Sequence, residues 1–224
     1  MTAHTTTPGA AGELTAPPTT SSSRRRSTRR LALAAALAGP LFYGSAIAQM
    51  LTRPGFDLRK HPLSQLSTGE LGWIQIATFV LTGLGVLALA IVHRRVTQGL
   101  GRRAAPLFIG IFGAGLIAAG CFVMDPQFGF PLSAPEGAVP MSWHSIVHSA
   151  AAAIAFTALA VACIVLLVRD IRRRALWPAI GNGVTALVML LPVSPESASV
   201  QVALTGIVAF TWTTVVALRL RRAA

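Results

Sequence analysis

The sequence predicts an all-α membrane protein, a six-transmembrane-helix bundle with two long outer loops. The first observation is composition: 53% of the 224 residues are hydrophobic, 12% are charged and the mean hydropathy is +0.63, far too apolar for a soluble domain of this length. The second is charge placement, because all but three of the Lys and Arg residues fall in four clusters. These are Arg24, Arg25, Arg26, Arg29 and Arg30; Arg94, Arg95, Arg102 and Arg103; Arg169, Arg172, Arg173 and Arg174; and Arg219, Arg221 and Arg222. The third is that the chain between clusters is apolar for long enough to cross a bilayer repeatedly. Cationic loops are retained inside, so every second loop is expected to be cytoplasmic, with both termini on that side of the cell membrane. A net charge of +12 would suggest nucleic acid in a soluble protein. Beside apolar spans, however, the positive residues set orientation and meet anionic lipid, so membrane lipids are the expected partner and nucleic acid is rejected.

Residues 1–30 are expected to form a disordered basic cytoplasmic tail, and 31–224 the six-helix transmembrane domain. The first 23 residues are rich in Thr, Ser, Ala, Pro and Gly, carry one acid at Glu13, and offer no periodicity that would bury a core. Span one is 31–51, interrupted by Gly39 and Pro40, which a transmembrane helix tolerates when neighbours satisfy the freed backbone. The basic run, the apolar stretch and Ala46-Ile47-Ala48 before Gln49 also resemble a secretory signal, but the long tail and long apolar run favour an uncleaved helix. Span two, 71–93, is preceded by Ser67-Thr68-Gly69-Glu70, a capping-box pattern. Spans three and four are 106–124 and 143–168. Span five, 177–191, is short and carries Asn182 between Gly181 and Gly183, yet the flanking basic clusters require two crossings here. Span six, 195–218, opens with Ser194-Pro195-Glu196 as cap, first-turn proline and first-turn acid.

Trp73, Trp143, Trp177 and Trp212 read as interfacial anchors. Cys121 and Cys163 lie near opposite ends of their spans, too far apart for a disulfide. Gly113-Ala114-Gly115 and Gly181-Asn182-Gly183 follow no strand, which argues against a nucleotide loop; Gly110, Gly113, Gly115 and Gly120 instead suit close helix packing. Asn182 with Thr185, and Thr211 with Thr213 and Thr214, read as interhelical hydrogen-bonding groups.

The inner connections are short and basic, whereas 52–70 and 125–142 are long and hold most of the unusual chemistry. The first contains Arg53-Pro54-Gly55-Phe56-Asp57 and His61-Pro62-Leu63-Ser64-Gln65-Leu66-Ser67-Thr68-Gly69, leading to Gly72-Trp73. The second opens Asp125-Pro126-Gln127-Phe128-Gly129-Phe130-Pro131, and span four begins Trp143-His144-Ser145-Ile146-Val147-His148. Across 31–224 these stretches resemble the bacterial integral-membrane proteins grouped as domain of unknown function 998. The resemblance implies a polytopic bacterial membrane protein with no assigned activity, and brings no catalytic residue. One Lys against many Arg, with abundant Ala, suggests a high-GC bacterial source.

His144 and His148 share one helical face about 6 Å apart along the axis, close enough to bind one metal ion. His61 or Asp125 would complete the set, zinc being the metal that suits imidazole and carboxylate. A metal-bound water would then be activated for hydrolysis, with Asp57 or Asp125 as candidate catalytic bases, because the helix lacks the Glu of H-E-x-x-H. Against this, Asp57 suits a pairing with Arg53 or Arg59, and Asp125 before Pro126 suits a helix terminator. His93 at the inner end of span two reads as interfacial. A non-catalytic lipid- or partner-binding bundle with an outer polar cap is therefore the leading expectation. A zinc-dependent hydrolase at the outer face comes second, and a transporter, which would want charges deep within the spans, comes last.

Overall fold

The computed structural model describes residues 20–224, with side chains described from residue 22; residues 1–19, most of the expected tail, lie outside the described residues. The described chain is built from six α-helices: α1 Thr20–Thr52, α2 Gly72–Val96, α3 Ala104–Cys121, α4 Trp143–Arg172, α5 Leu176–Met189 and α6 Ala198–Ala223. One-turn 3-10 helices at Leu63–Ser67 and Pro195–Ser197 precede α2 and α6, and no strand occurs among the described residues. The helix α1 begins well before the expected boundary at Leu31, so Arg24 to Arg30 ride on a helix rather than in a tail. No Gly or Pro lies between Thr20 and Leu31 to stop a helix that the apolar run has already nucleated.

Five segments are long and apolar enough to cross a membrane: Ser22–Thr52, Gly72–Val96, Ala104–Cys121, Trp143–Arg172 and Pro195–Ala223. They mark a multi-pass membrane protein whose apolar surface contacts lipid. The sixth helix, α5, has 14 residues and is about 21 Å long, against roughly 30 Å of hydrocarbon. It nevertheless carries the chain from one end of the bundle to the other. Before it, an Arg173 nitrogen donates to the Gln98 carbonyl at 3.2 Å; after it, Ser199 Oγ donates to the Lys60 carbonyl at 3.2 Å. All four arginine clusters gather at the first of these ends, the basic end, where Arg25 also donates to the Ala224 carbonyl at 2.8 Å. The two long loops gather at the opposite, capped end.

Each helix packs on its neighbours in sequence, and α1 packs on α6, so the helices make a ring; α5 and α6 touch only slightly and leave a seam. The packed joints depend on small residues. A Cβ on Gly113 would lie 2.9 Å from the Gly83 carbonyl, and one on Gly83 2.7 Å from the Gly113 carbonyl, so α2 and α3 meet backbone to backbone. Gly115 is pressed in the same way against α4 at Ala151 and Ala155, and Gly39 against α6 at Phe210. Gly110 is different: its nearest neighbour is Ala90 at 4.0 Å, so it is not at a tight joint. Between the helices Phe42 stacks on Phe210 at 4.7 Å and meets Phe79 edge-on at 5.3 Å, forming an aromatic centre. Cys121 and Cys163 are both free.

Three local expectations change. No capping box forms at α2: its N-cap is Leu71 without a side-chain bond, while Ser67 Oγ donates back to the Ser64 carbonyl at 2.7 Å. The reason is Gly69, whose φ of +73° turns the chain so that the Gly72 amide donates to the Gly69 carbonyl instead. Ser194 does precede a proline and an acid, but its side chain caps nothing. The Gln201 side chain takes over, accepting from the Ser194 amide at 2.9 Å and donating to the Pro192 carbonyl at 2.7 Å. Trp73, Trp143 and Trp177 are exposed as interfacial anchors should be, whereas Trp212 is only 6% exposed and belongs to the interior.

Replacing Gly113 by Ala should force α2 and α3 apart and destabilise the detergent-solubilised protein by about 1–3 kcal/mol. Gly110→Ala, lacking a close neighbour, should be neutral or slightly stabilising, and thermal unfolding of the two variants checks the contrast.

Candidate functional site: a stitched cap and a basic cleft

At the capped end the two long loops are joined by side chains that donate to backbone carbonyls. Arg53, directly after α1, is buried and donates through its two terminal nitrogens to the carbonyls of Leu66 and Thr68; its guanidinium also lies 4.7 Å over the Phe130 ring. Gln65 reaches across to the second loop, donating to the Gln127 carbonyl at 2.7 Å and the Phe130 carbonyl at 3.2 Å. His61 Nδ1 accepts from the Asp57 amide at 2.9 Å, which assigns the hydrogen to Nε2; that nitrogen donates to the Phe128 carbonyl at 3.0 Å. Asp57 is half-buried and paired with the exposed Arg59 at 2.9 Å, and the hydrogen bonds from the Arg59 side chain and amide lower its carboxyl to about 2.

The expected metal ligands do not converge. Both ring nitrogens of His61 are engaged within the cap. His148 Nδ1 donates to the Ala119 and Phe122 carbonyls, each at 2.8 Å, so this residue of α4 caps the end of α3. Its ring borders a cavity of ≈ 90 Å³ that is otherwise lined mainly by apolar groups such as Phe42, Leu116 and Phe156. The His144 ring stacks on Trp143 at 3.7 Å and on Phe122 at 5.8 Å. Asp125 accepts from the Ser142 amide at 2.7 Å, and Ser142 Oγ in turn accepts from the Ser145 amide at 3.3 Å to cap α4. Among the described residues no group of three or more His, Cys, Asp and Glu is placed to hold a metal ion. The candidate bases Asp57 and Asp125 are thus occupied with Arg59 and with the start of α4.

The larger site lies at the other end, where the seam between α5 and α6 opens into a cleft of ≈ 520 Å³. Its walls are apolar, among them Leu166, Val184, Ile207, Val208 and Val216. Its polar end holds His93 of α2, Arg169 and Asp170 of α4, Asn182 of α5 and Arg219 of α6. Asn182 ties three helices together: it donates to an Asp170 carboxylate oxygen at 2.9 Å and accepts from the Trp212 indole nitrogen at 2.8 Å. His93 is 1% exposed, and neither its Nδ1 nor the buried Nε of Arg169 has a hydrogen-bond partner.

Sequence reasoning read Asn182 as an interhelical bonding group, which it is, but took His93 for an interfacial residue and passed over Asp170. A signal was present: of seven acidic residues, Asp170 alone sits inside a run of arginines, on the basic flank of a predicted membrane helix.

A family model described as protein of unknown function (DUF998) matches residues 36–221. No curated protein and no solved structure matches the chain.

Removing the Arg53 donors leaves two loop carbonyls unpaired, so Arg53→Ala should lower stability by about 3 kcal/mol and raise the protease sensitivity of 52–70. The lowered Asp57 carboxyl has its own signature. A depressed folded-state pKa contributes stability above the ordinary value of 3.8 and loses it as pH falls through about 2. Order in the first loop should therefore decline between pH 4 and pH 2 and not between pH 5 and pH 8, and Asp57→Asn should abolish that step in hydrogen exchange.

Proposed function

This chain belongs to the DUF998 family, and on that premise we propose that it is a six-crossing, non-catalytic membrane protein that binds a lipid in the cleft between α5 and α6. The supporting observation is the cleft itself. It is large, it has apolar walls along most of its length, and it lies at the one place in the ring where neighbouring helices hardly touch. An acyl chain matches such walls, and a headgroup matches the polar end. In this reading α5 makes the sixth crossing, and the tendency of basic loops to stay inside supports a cytoplasmic basic end, with both ends of the described chain on that side. The stitched cap then faces out and closes the far end of the bundle.

The orientation is checked by single-cysteine labelling in intact cells. Impermeant reagents should reach cysteines placed at Ser64 and Ser133 but not at Thr97 or Arg173, and outside labelling at either of the latter overturns it. For the cleft, a variant retaining Trp212 as its single tryptophan (Trp73, Trp143 and Trp177→Phe) is reconstituted with lipid brominated on its acyl chains. Trp212 should be quenched despite its burial, and Val215→Phe, which narrows the cleft, should reduce the quenching. An unquenched Trp212 ends the lipid-binding reading.

A further inference from the structure

We propose that the polar end of this cleft is a headgroup site selective for lipids with a singly charged anionic phosphate, held by Arg169 and Arg219 with His93 behind them. The proposal rests on the lipid-binding reading and names the class of lipid.

The charges decide it. The titratable and charged groups bordering the cleft are His93, Arg169, Asp170 and Arg219, that is, two guanidinium groups against one carboxylate, with Arg173 close enough to act on Asp170 through space. That carboxylate accepts a hydrogen bond from Asn182 and makes no salt bridge; the sole ion pair among the described residues is Arg59 with Asp57, at the other end of the molecule. Two arginines thus line the wall of an apolar cleft without a carboxylate in contact. A guanidinium presents a planar fork of donors that fits phosphate oxygens in pairs. His93 adds a second and independent sign, being almost completely buried with its Nδ1 unbonded at the same end. A group of this kind is normally satisfied by a partner. The excess of one positive charge favours a net anionic headgroup over one that carries its own ammonium. The walls of Val184, Ile207, Val208 and Val216 ask for a hydrocarbon chain attached to that phosphate.

The test uses the full-length chain with Trp212 as its single tryptophan, reconstituted in unlabelled phosphatidylcholine. Brominated phosphatidylglycerol, phosphatidylcholine or diacylglycerol is titrated in as a minor component. Phosphatidylglycerol should reach half-maximal quenching at the lowest mole fraction. Each of Arg169→Gln and Arg219→Gln should weaken that preference by roughly fivefold, as expected for loss of one arginine facing an anionic lipid. Quenching by diacylglycerol should be unchanged in both variants, which also shows that they are folded. Arg102→Gln with Arg103→Gln removes basic charge from the same end but outside the cleft, and should leave the preference intact. If that pair weakens it as much as the cleft variants do, the preference comes from accumulation at a basic surface and the proposed site is wrong. Equal quenching by all three lipids overturns the headgroup assignment and leaves the lipid cleft standing. Relief of quenching by inorganic phosphate identifies a site for the free anion and overturns the lipid assignment. No quenching by any lipid removes both readings together.

Discussion

A backbone carbonyl or amide in an apolar environment has no water to bond, and most of this molecule is arranged around that constraint. Along the six helices the groups satisfy one another, so apolar side chains can face outward. The difficulty arises where the chain leaves the helices at the capped end. There the carbonyls of Leu66, Thr68, Gln127, Phe128 and Phe130, and those of Ala119 and Phe122 at the end of α3, are met by Arg53, Gln65, His61 and His148. Two of the histidines that draw attention in the sequence as possible ligands, His61 and His148, are thus donors to backbone at this end of the bundle. Their buried, two-partnered geometry explains why the cap holds a defined shape over a stretch with little regular structure.

The bundle below the cap follows from the same scarcity of water in another way. Apolar side chains gain little by leaving lipid for a helix interface, so association relies on close contact. Gly83 against Gly113, Gly115 against Ala155 and Gly39 against Phe210 supply it for five of the helices packed in the ring, and Gly85 against Ala38 adds a close joint between α1 and α2. On α5, Gly181 meets nothing within 4 Å and Gly183 meets only the Leu167 side chain at 3.7 Å. The glycines of this helix therefore loosen its fit instead of tightening it. The seam beside α5 and the hydrogen bond that Asn182 accepts across it from Trp212 are two sides of one arrangement: weak apolar packing, held by a buried polar link.

The helical architecture was legible because it depends on quantities the sequence displays directly, namely run length and the positions of arginine. Even α5, too short to stand out by hydropathy, was expected because the basic clusters on either side of the last pair of spans call for two crossings between them. The site was less legible. The partners of Arg53, Gln65 and His148 are backbone carbonyls, which look alike at every residue, so no pattern of side chains announces them. His144 and His148 do share a spacing that suits a metal, but spacing does not show that one ring turns toward the end of α3 while the other lies on Trp143. His93 precedes Arg94 and Arg95 and so reads as part of a wet helix end; only the rotation of α2 reveals that it faces inward. Asp170 was hidden by its neighbours, since a cluster defined by positive charge directs attention away from the one carboxylate within it.

The shortness of α5 has a mechanical consequence. A helix that falls short of the hydrocarbon thickness is accommodated by local thinning of the bilayer around it. Its neighbours α4 and α6 have 30 and 26 residues, so the mismatch is confined to one side of the ring. The surrounding lipids would be drawn inward along that side alone, at the mouth of the cleft. The energy of that deformation depends on the membrane in which the protein sits, greater where sterols or long chains thicken it and smaller where it is thin. On the proposed six-crossing topology, the strain on that side of the ring would vary with bilayer thickness, a property that no residue of the cleft contacts.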